Sequence, residues 1–583
     1  MRRKTTVLAA AALPLLAALT AVTAPSVSAL PMTGKGVEYN LLVADGASVE
    51  SVESAAKAAG AKILTSNRAA GLVTVEAPEQ GFTDRVKSSR GVSAAARARS
   101  VGQAPRSKPA PRPHTVEKES TGSATSKSPA VQAAAKKNAA APASLGMDPL
   151  DEKLWGLSSV RSDLSRTKQP GDERVKVGIL DTGVNGTHPD LAANFDKSLS
   201  RNFAKDIPFD ELGQVVDGPC EFRGCVDPVD WDDNGHGTHV AGTIAAAADG
   251  FGVSGVAPGV TIVNIRGAQD SGTFFLQPVV DAITYSGDAG LDVVNMSFFV
   301  DPWLYNCDNN PADTPEQQAQ QRTIKTAMNR ALTYAYRKGV TQVVSLGNQH
   351  TDLGNPLPDA SSPNYPAGTT HRRTIDNATC QTMPIEGAHT VGVSAIGPSG
   401  AKADYSNWGT EQISVSAPGG YARDYFGTPW YNTFENRILS TMPRNVGVAN
   451  GFVDAAGNVT PAGAALGVQK ATKADGTVAF YQYLQGTSMA SPHAAGVSAL
   501  IVSQYGNYDG RGNVTLSPDR VESVLQGTAF KTPCPTPRTV DYFDEGRDET
   551  FTATCAGDLQ FNGFYGHGQV DAWAAVTRGA DFL

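Results

Sequence analysis

Two patterns of apolar positions divide the chain. Between residues 36 and 98, VEYNLLVA and AGLVTVEA space their apolar side chains as strands do and GVSAAARA does so more weakly, while SVESAAKAAGA and QGFTDRVKSS carry the wider spacing of helices. These segments predict a small α+β unit of about 65 residues. From Val175 onward the strand-length runs lose their alternation. VKVGIL, VTIVNIR, LDVVNMSF, GVTQVVSLGN, TVGVSAI and QISVSAPG are nearly continuous apolar segments, as expected of strands buried on both faces. Helical stretches such as QQRTIKTAMNRALTYAYRKG separate them, so this larger part is predicted as an α/β domain, a mostly parallel sheet flanked by helices. In such sheets reactive groups gather just beyond the carboxyl ends of strands, where Asp181, Asn295 and Asn348 fall.

The segments around the small unit differ in character. MRRKTT is basic, VLAAAALPLLAALTAV is apolar, and VSA ending at Ala29 offers the small residues a signal peptidase needs, so residues 1–29 read as a secretory signal and the protein as secreted. The apolar stretch contains Pro14, and neither it nor any later stretch reaches the roughly 20 residues of a membrane span. No membrane anchor is expected. Residues 101–147 are rich in Pro, Ala, Ser and Lys with almost no large apolar residue, the composition of a flexible linker. The expected organisation is therefore 1–29 signal, 30–100 small unit, 101–147 linker and 148–583 α/β domain.

Charge narrows the function classes. Residues 1–150 hold 19 Lys+Arg against 10 Asp+Glu, whereas the rest carries a net charge of −17 and is no general phosphate binder, so no nucleic-acid partner is expected. Six cysteines in a secreted chain, none in a C-x-x-C, predict disulfides. Nearness in sequence pairs Cys220 with Cys225 and Cys534 with Cys555 and leaves Cys307 for Cys380, one of fifteen pairings.

Three short stretches carry candidate chemistry. VKVGILDTGV ends a buried strand on Asp181; HGTHVAGTIAA opens a small-residue helix on His236; GTSMASPHAAG sets Ser488 before another such helix. A zinc pair would have the form H-E-x-x-H, but His236 and His239 stand three apart with no Glu between them. A serine beside Gly and Thr is by itself an ordinary helix cap. In combination with an acid and a histidine it becomes a nucleophile candidate, and helix amino termini supply the donors an oxyanion needs.

In this order the motifs DTGV, NGHGTHVAG and GTSMASPH resemble the Asp, His and Ser signatures of subtilisin-like serine proteases, and GVAP at 255–258, NMS at 295–297, NYPA at 364–367 and YSNWG at 405–409 extend the resemblance from about Asp148 to Leu583. The resemblance implies a subtilisin-like fold and a protease in which Ser488 attacks the scissile carbonyl, His236 relays the proton, Asp181 orients the imidazole and Asn348 donates to the oxyanion, with His239 structural. It also implies that the small unit is an inhibitory propeptide, that protein or peptide substrates are the partners, and that the enzyme is a monomer made as a self-processing zymogen, with 101–147 the linker and processing region and the cut expected in the exposed stretch between Ala139 and Leu150.

The chemistry requires no cofactor. Structural calcium is common in the family and DWDDNG at 230–235 is acidic, but no metal ligand is assigned. Where the family has Leu and glycines after NMS, this chain has Phe298-Phe299-Val300; Ser297, Phe298 and Phe299 are taken as the substrate-contacting residues. Because that departure alters the pocket, an exopeptidase trimming short peptides stays an alternative. So does an inert binding relative, although all three triad positions and Asn348 are present. A lipase or esterase would set its nucleophile in G-x-S-x-G, and this chain has G-T-S-M-A.

Overall fold

The computed structural model describes residues 36–99, 114–117, 148–210, 212–510 and 512–583. The expected signal segment, most of the linker and most of the stretch where processing is expected lie outside them.

The small unit forms an antiparallel sheet of four strands, β1 (Val37–Val43), β2 (Lys62–Asn67), β3 (Leu72–Ala77) and β4 (Val92–Arg97), in the order β2-β3-β1-β4. Helices α1 (Val49–Ala58) and α2 (Phe82–Lys87) pack on one face through Val52, Ala56, Phe82 and Val86. Three strands are read from the sequence; β2 is the addition. It lies at the sheet edge, and KILTSN is largely solvent-facing, so it lacks the apolar run that marks its neighbours.

The larger domain is built on seven parallel strands, in the order β11-β10-β9-β8-β5-β7-β6. They are β5 (Lys176–Leu180), β6 (Arg201–Asn202), β7 (Thr261–Arg266), β8 (Val293–Met296), β9 (Thr341–Ser345), β10 (Thr390–Ile396) and β11 (Ile413–Pro418). Six coincide with the six apolar runs. Their side chains alternate between two cores: Val177, Ile179, Val293 and Val343 face α3 (His236–Ala245) and α6 (Thr487–Tyr505), while Leu180, Val294, Met296 and Val344 face α4 (Leu276–Asp288) and α5 (Pro315–Arg337). Burial on both faces is why these strands show no alternation.

A three-stranded antiparallel sheet, β12 (Ile438–Met442), β13 (Gln469–Thr472) and β14 (Val478–Leu484) in the order β12-β14-β13, supports α3 from outside. Ser440 and Thr441 donate to the carbonyls of His239 and Thr238, at 2.7 Å each. The three disulfides are Cys220–Cys225, Cys307–Cys380 and Cys534–Cys555. Among the described residues no helix is long and apolar enough to cross a membrane.

The small sheet sits on α4 and α5. Leu42, Ala70 and Leu72 join the apolar core of those helices, Asn67 Nδ2 donates to Asp281 Oδ1 (2.8 Å) and Thr284 Oγ1 (2.7 Å), and Arg330 reaches the Val43 carbonyl (3.0 Å) and Asp45 (2.8 Å). Each face of the small sheet is thus covered, one by its own helices and one by the large domain.

Candidate active site

The chain order along the sheet reverses around β5, whose neighbours β7 and β8 lead away in opposite directions. A crevice opens at such a switch point beyond the carboxyl ends of the strands. Asp181 is the first residue past β5, and Ser297 and Asn348 follow β8 and β9. Asn295, expected at that edge, lies within β8, where its Nδ2 donates to Ser297 Oγ (2.8 Å).

His236 begins α3 and turns its Nδ1 to Asp181 Oδ1 at 2.6 Å. So short a span requires the helix to press on the β5 turn, and glycine permits it: a Cβ on Gly237 would stand 2.2 Å from the Gly183 carbonyl oxygen and 2.9 Å from Asp181 Cβ. Asp232 fixes the junction. Its buried carboxylate accepts from the Asn234, Gly235 and Thr238 backbone N–H groups (3.1, 2.9 and 3.1 Å) and from the Thr238 and Thr182 hydroxyls (2.6 and 3.1 Å). A negative group at the start of a helix satisfies otherwise orphan donors and favours the dipole. DWDDNG reads in sequence as a solvated acidic loop, and only its closing Gly and the following His hint that Asp232 caps α3.

Ser488 is the second residue of α6, so it is not the cap; Gly486 holds that position. Among the described residues the hydrogen bond of Ser488 Oγ runs to the Ser297 carbonyl (3.4 Å) and not to His236. Such contacts are commonly loose without substrate. Asn348 Oδ1 accepts from the Thr487 N–H (2.9 Å) and the Thr487 hydroxyl (2.8 Å), and that hydroxyl accepts from Gly347 N (3.0 Å). Two donors on one oxygen settle which end of the amide is which. Nδ2 is turned toward the crevice side of Gly486, where a Cβ would lie 3.4 Å from it. Thr487 is a positioning residue the sequence alone does not single out.

A cleft of about 390 Å³ joins these groups, lined among others by His236, Ser488, Asn348, Ser297, Phe298 and Phe299. Ser297 Oγ is tied to Ser491 Oγ (2.8 Å), so its side chain braces α6. Phe298 stacks on Phe274, ring centroids 4.0 Å apart and 7° from parallel. Val300 is fully buried in the core and does not line the cleft.

The histidines divide by environment. His239 Nε2 donates to the carbonyls of Ile438 (3.1 Å) and Gln482 (3.2 Å), and burial lowers its pKa to about 3, which makes it a neutral structural group. Burial would also lower the pKa of His236. The negative charges of Asp181 and Glu117 outweigh it and raise the pKa well above the ordinary value. Glu117 is unforeseen in the sequence: it ends the short helical turn His114–Glu117 inside the predicted linker, is buried, and brings Oε1 to 3.3 Å from His236 Nε2.

Two acidic groups bear on the expected calcium. Asp206, Asp227 and Asp270 surround the Arg266 guanidinium, which pairs with all three and fills the space between them, so this group does not fit a cation. Glu221, Asp227 and Asp233 bring carboxylate oxygens within 4.8 Å of one another, and Asp227 Oδ1 is buried without a hydrogen-bond partner. That oxygen-only donor set fits a hard cation such as calcium.

Comparisons with known proteins bear on the family and the fold. Residues 172–568 match the family model described as the subtilase family of peptidases. The chain is 27% identical over 375 residues to subtilisin DY of Bacillus licheniformis, covering 64% of this chain and 90% of that protein. It is 26% identical over 400 residues to the thermophilic serine proteinase of Bacillus sp. strain AK1, covering 68% of this chain and 66% of that one. The crystal structure of the epidermin leader peptide processing serine protease from Staphylococcus aureus superposes with a TM-score of 0.58 at 18% identity, covering 93% of this chain and 98% of that one, which shows a shared fold. With the family model matching most of the chain and spanning the elements that build the cleft, the protein belongs to the subtilase family of serine peptidases.

Proposed function

We propose that the protein is a secreted endopeptidase that cleaves protein or peptide substrates through an acyl-enzyme and is made as a self-processing zymogen. The observation that carries this reading is the 2.6 Å contact of His236 with Asp181, at the mouth of a cleft shared by Ser488 and the oriented Asn348 amide. In the reaction Ser488 Oγ adds to the scissile carbonyl while His236 Nε2 takes its proton. Asp181 holds Nδ1–H and stabilises the imidazolium. The carbonyl oxygen, now negative, is met by Asn348 Nδ2 and the Ser488 N–H at the start of α6. His236 then passes the proton to the leaving amine, and water repeats the sequence on the acyl-enzyme. No cofactor takes part; Glu221, Asp227 and Asp233 would hold a calcium ion in a purely structural role.

In this reading residues 1–29 direct secretion, 30–100 form the propeptide whose docking on α4 and α5 keeps it bound as an intramolecular inhibitor, 101–147 carry the processing region, and 148–583 are the catalytic domain of a monomer. The test is Ser488→Ala. Hydrolysis of a mixed peptide library should fall about a million-fold, the loss known for the nucleophile of subtilisin, a relative. The variant chain should also stay intact from Leu30, while the active chain is cut between Ala139 and Leu150. Undiminished hydrolysis, or identical amino termini for both proteins, overturns the assignment.

A further inference from the structure

The Glu117 contact is not a side effect of a nearby surface. Val116 and Glu117 are gripped by Gln485, whose Nε2 donates to the Val116 carbonyl (3.1 Å) and whose N–H donates to the Glu117 carbonyl (3.4 Å). Gln485 is itself held by the Ala422 N–H on its Oε1 (2.7 Å), and it directly precedes Gly486 and the nucleophile helix. Two successive carbonyls of the linker are therefore bound by one residue beside the crevice, into which the Glu117 side chain extends.

There the carboxylate meets groups arranged for a negative oxygen. Glu117 Oε1 is 3.3 Å from His236 Nε2, and a Cβ on Gly486 would lie 3.5 Å from that oxygen and 3.4 Å from Asn348 Nδ2, so acid and amide both lie beside Gly486. An unpaired buried carboxylate costs several kcal/mol, of the order that ion burial imposes. The imidazole beside it, whose pKa the two carboxylates raise, offsets that cost.

We infer that Glu117 is a plug built into the linker: in the uncleaved chain its carboxylate occupies the place of the reaction's oxyanion and engages the nitrogen that must accept the Ser488 proton. The inference rests on the protease reading above and specifies how that site is regulated before maturation. A base already paired with a carboxylate holds its proton, so Ser488 is activated only in the fraction of chains whose Glu117 has left the crevice, which slows self-processing without abolishing it. The block persists only while the tether keeps Glu117 at high local concentration. Cutting the linker removes it without any change in the catalytic groups.

The test uses the full chain and a fluorophosphonate, which acylates an activated serine irreversibly, with gel separation so that labelling of the intact band is read apart from processed forms. Glu117→Gln and Glu117→Ala should label the intact band at least tenfold faster than the wild type. Equal rates in all three overturn the plug. If no form labels at any stage, the nucleophile assignment itself has failed, and the plug is then judged by a second readout that needs no turnover. Among the described residues the charged groups facing His236 in the Ser488→Ala chain are Asp181 from the β5 turn and Glu117 from the linker, with the neutral His239 on α3 beside it and the buried Tyr405 phenol near Glu117. Adding Glu117→Gln removes one negative charge, so the imidazole should titrate about one to three pH units lower by NMR. An unchanged titration overturns the proposal.

Discussion

Replacing Thr487 by Val isolates what the orientation of Asn348 is worth. The side chains have nearly the same shape, but the hydroxyl both donates to Asn348 Oδ1 (2.8 Å) and accepts from Gly347 N (3.0 Å). The Thr487 N–H to Asn348 Oδ1 bond (2.9 Å) remains, so one of two restraints on the amide is lost. Losing the amide altogether, in Asn348→Ala, should lower kcat by about 100- to 1000-fold, the value found for an oxyanion donor in subtilisin, a relative. Losing one neutral hydrogen bond that holds it is worth about 0.5–1.5 kcal/mol, so Thr487→Val should lower kcat by roughly 2- to 13-fold. KM should hardly change, because the oxyanion exists only in the transition state. Steady-state kinetics on a peptide substrate give both constants, and the double variant decides the cause. On an Asn348→Ala background Thr487→Val should cost nothing further in kcat, since there is no amide left to orient. Equal, multiplicative losses in the two backgrounds would show that Thr487 acts through something other than Asn348.

Two further substitutions test the surroundings of the site. Asp232→Ala strips the α3 amino terminus of a carboxylate that takes five hydrogen bonds, and with three backbone donors left buried it should destabilise the chain by about 3 kcal/mol, measured by denaturant unfolding of the Ser488→Ala protein to avoid self-digestion; an unfolding midpoint within error of the parent contradicts the capping role. Phe299→Gly should raise kcat/KM for substrates with bulky side chains about tenfold over small ones, as deleting a large apolar wall is worth one to three kcal/mol in a pocket, whereas unchanged relative rates across small, aromatic and basic substrates place Phe299 outside the specificity pocket.

What the sequence makes legible follows from how many constraints bear on each position. β5, β8 and β9 each place apolar residues on both faces because two cores press on them, and that double demand leaves 177–180, 293–294 and 343–344 as legible runs. The Cys220–Cys225 and Cys534–Cys555 pairs close short loops, so nearness picks them out and the third pair follows. β2 escapes because an edge strand has one partner and little to bury. Thr487 and Asp232 escape for another reason: a threonine before a nucleophile and an aspartate in an acidic loop look alike whether or not they are bonded. Their partners Asn348 and Thr182 stand far away in sequence, at 139 and 50 residues. Glu117 is hidden most thoroughly, because its linker is poor in large apolar residues and, among the described residues, a single packed Val116 and two carbonyls bound by Gln485 mark the place.

The charges in the crevice explain why a glutamate suits that place better than any other side chain. In the proposed mechanism the tetrahedral intermediate would put a negative oxygen beside Asn348 while His236, having accepted the Ser488 proton, would be an imidazolium with Asp181 on its other nitrogen. The uncleaved chain shows the same sequence of charges with Glu117 as the negative oxygen: carboxylate, raised-pKa imidazole, carboxylate. A site that accelerates its reaction by complementing that distribution must bind any group that reproduces it. A lysine or an alkyl chain in the linker would gain nothing from the oxyanion donors, and a neutral amide would leave the imidazole free to act as a base. The features that make the crevice reactive toward a carbonyl are therefore the same ones that hold the plug, so a substitution that weakens catalysis through Asn348 should also loosen Glu117.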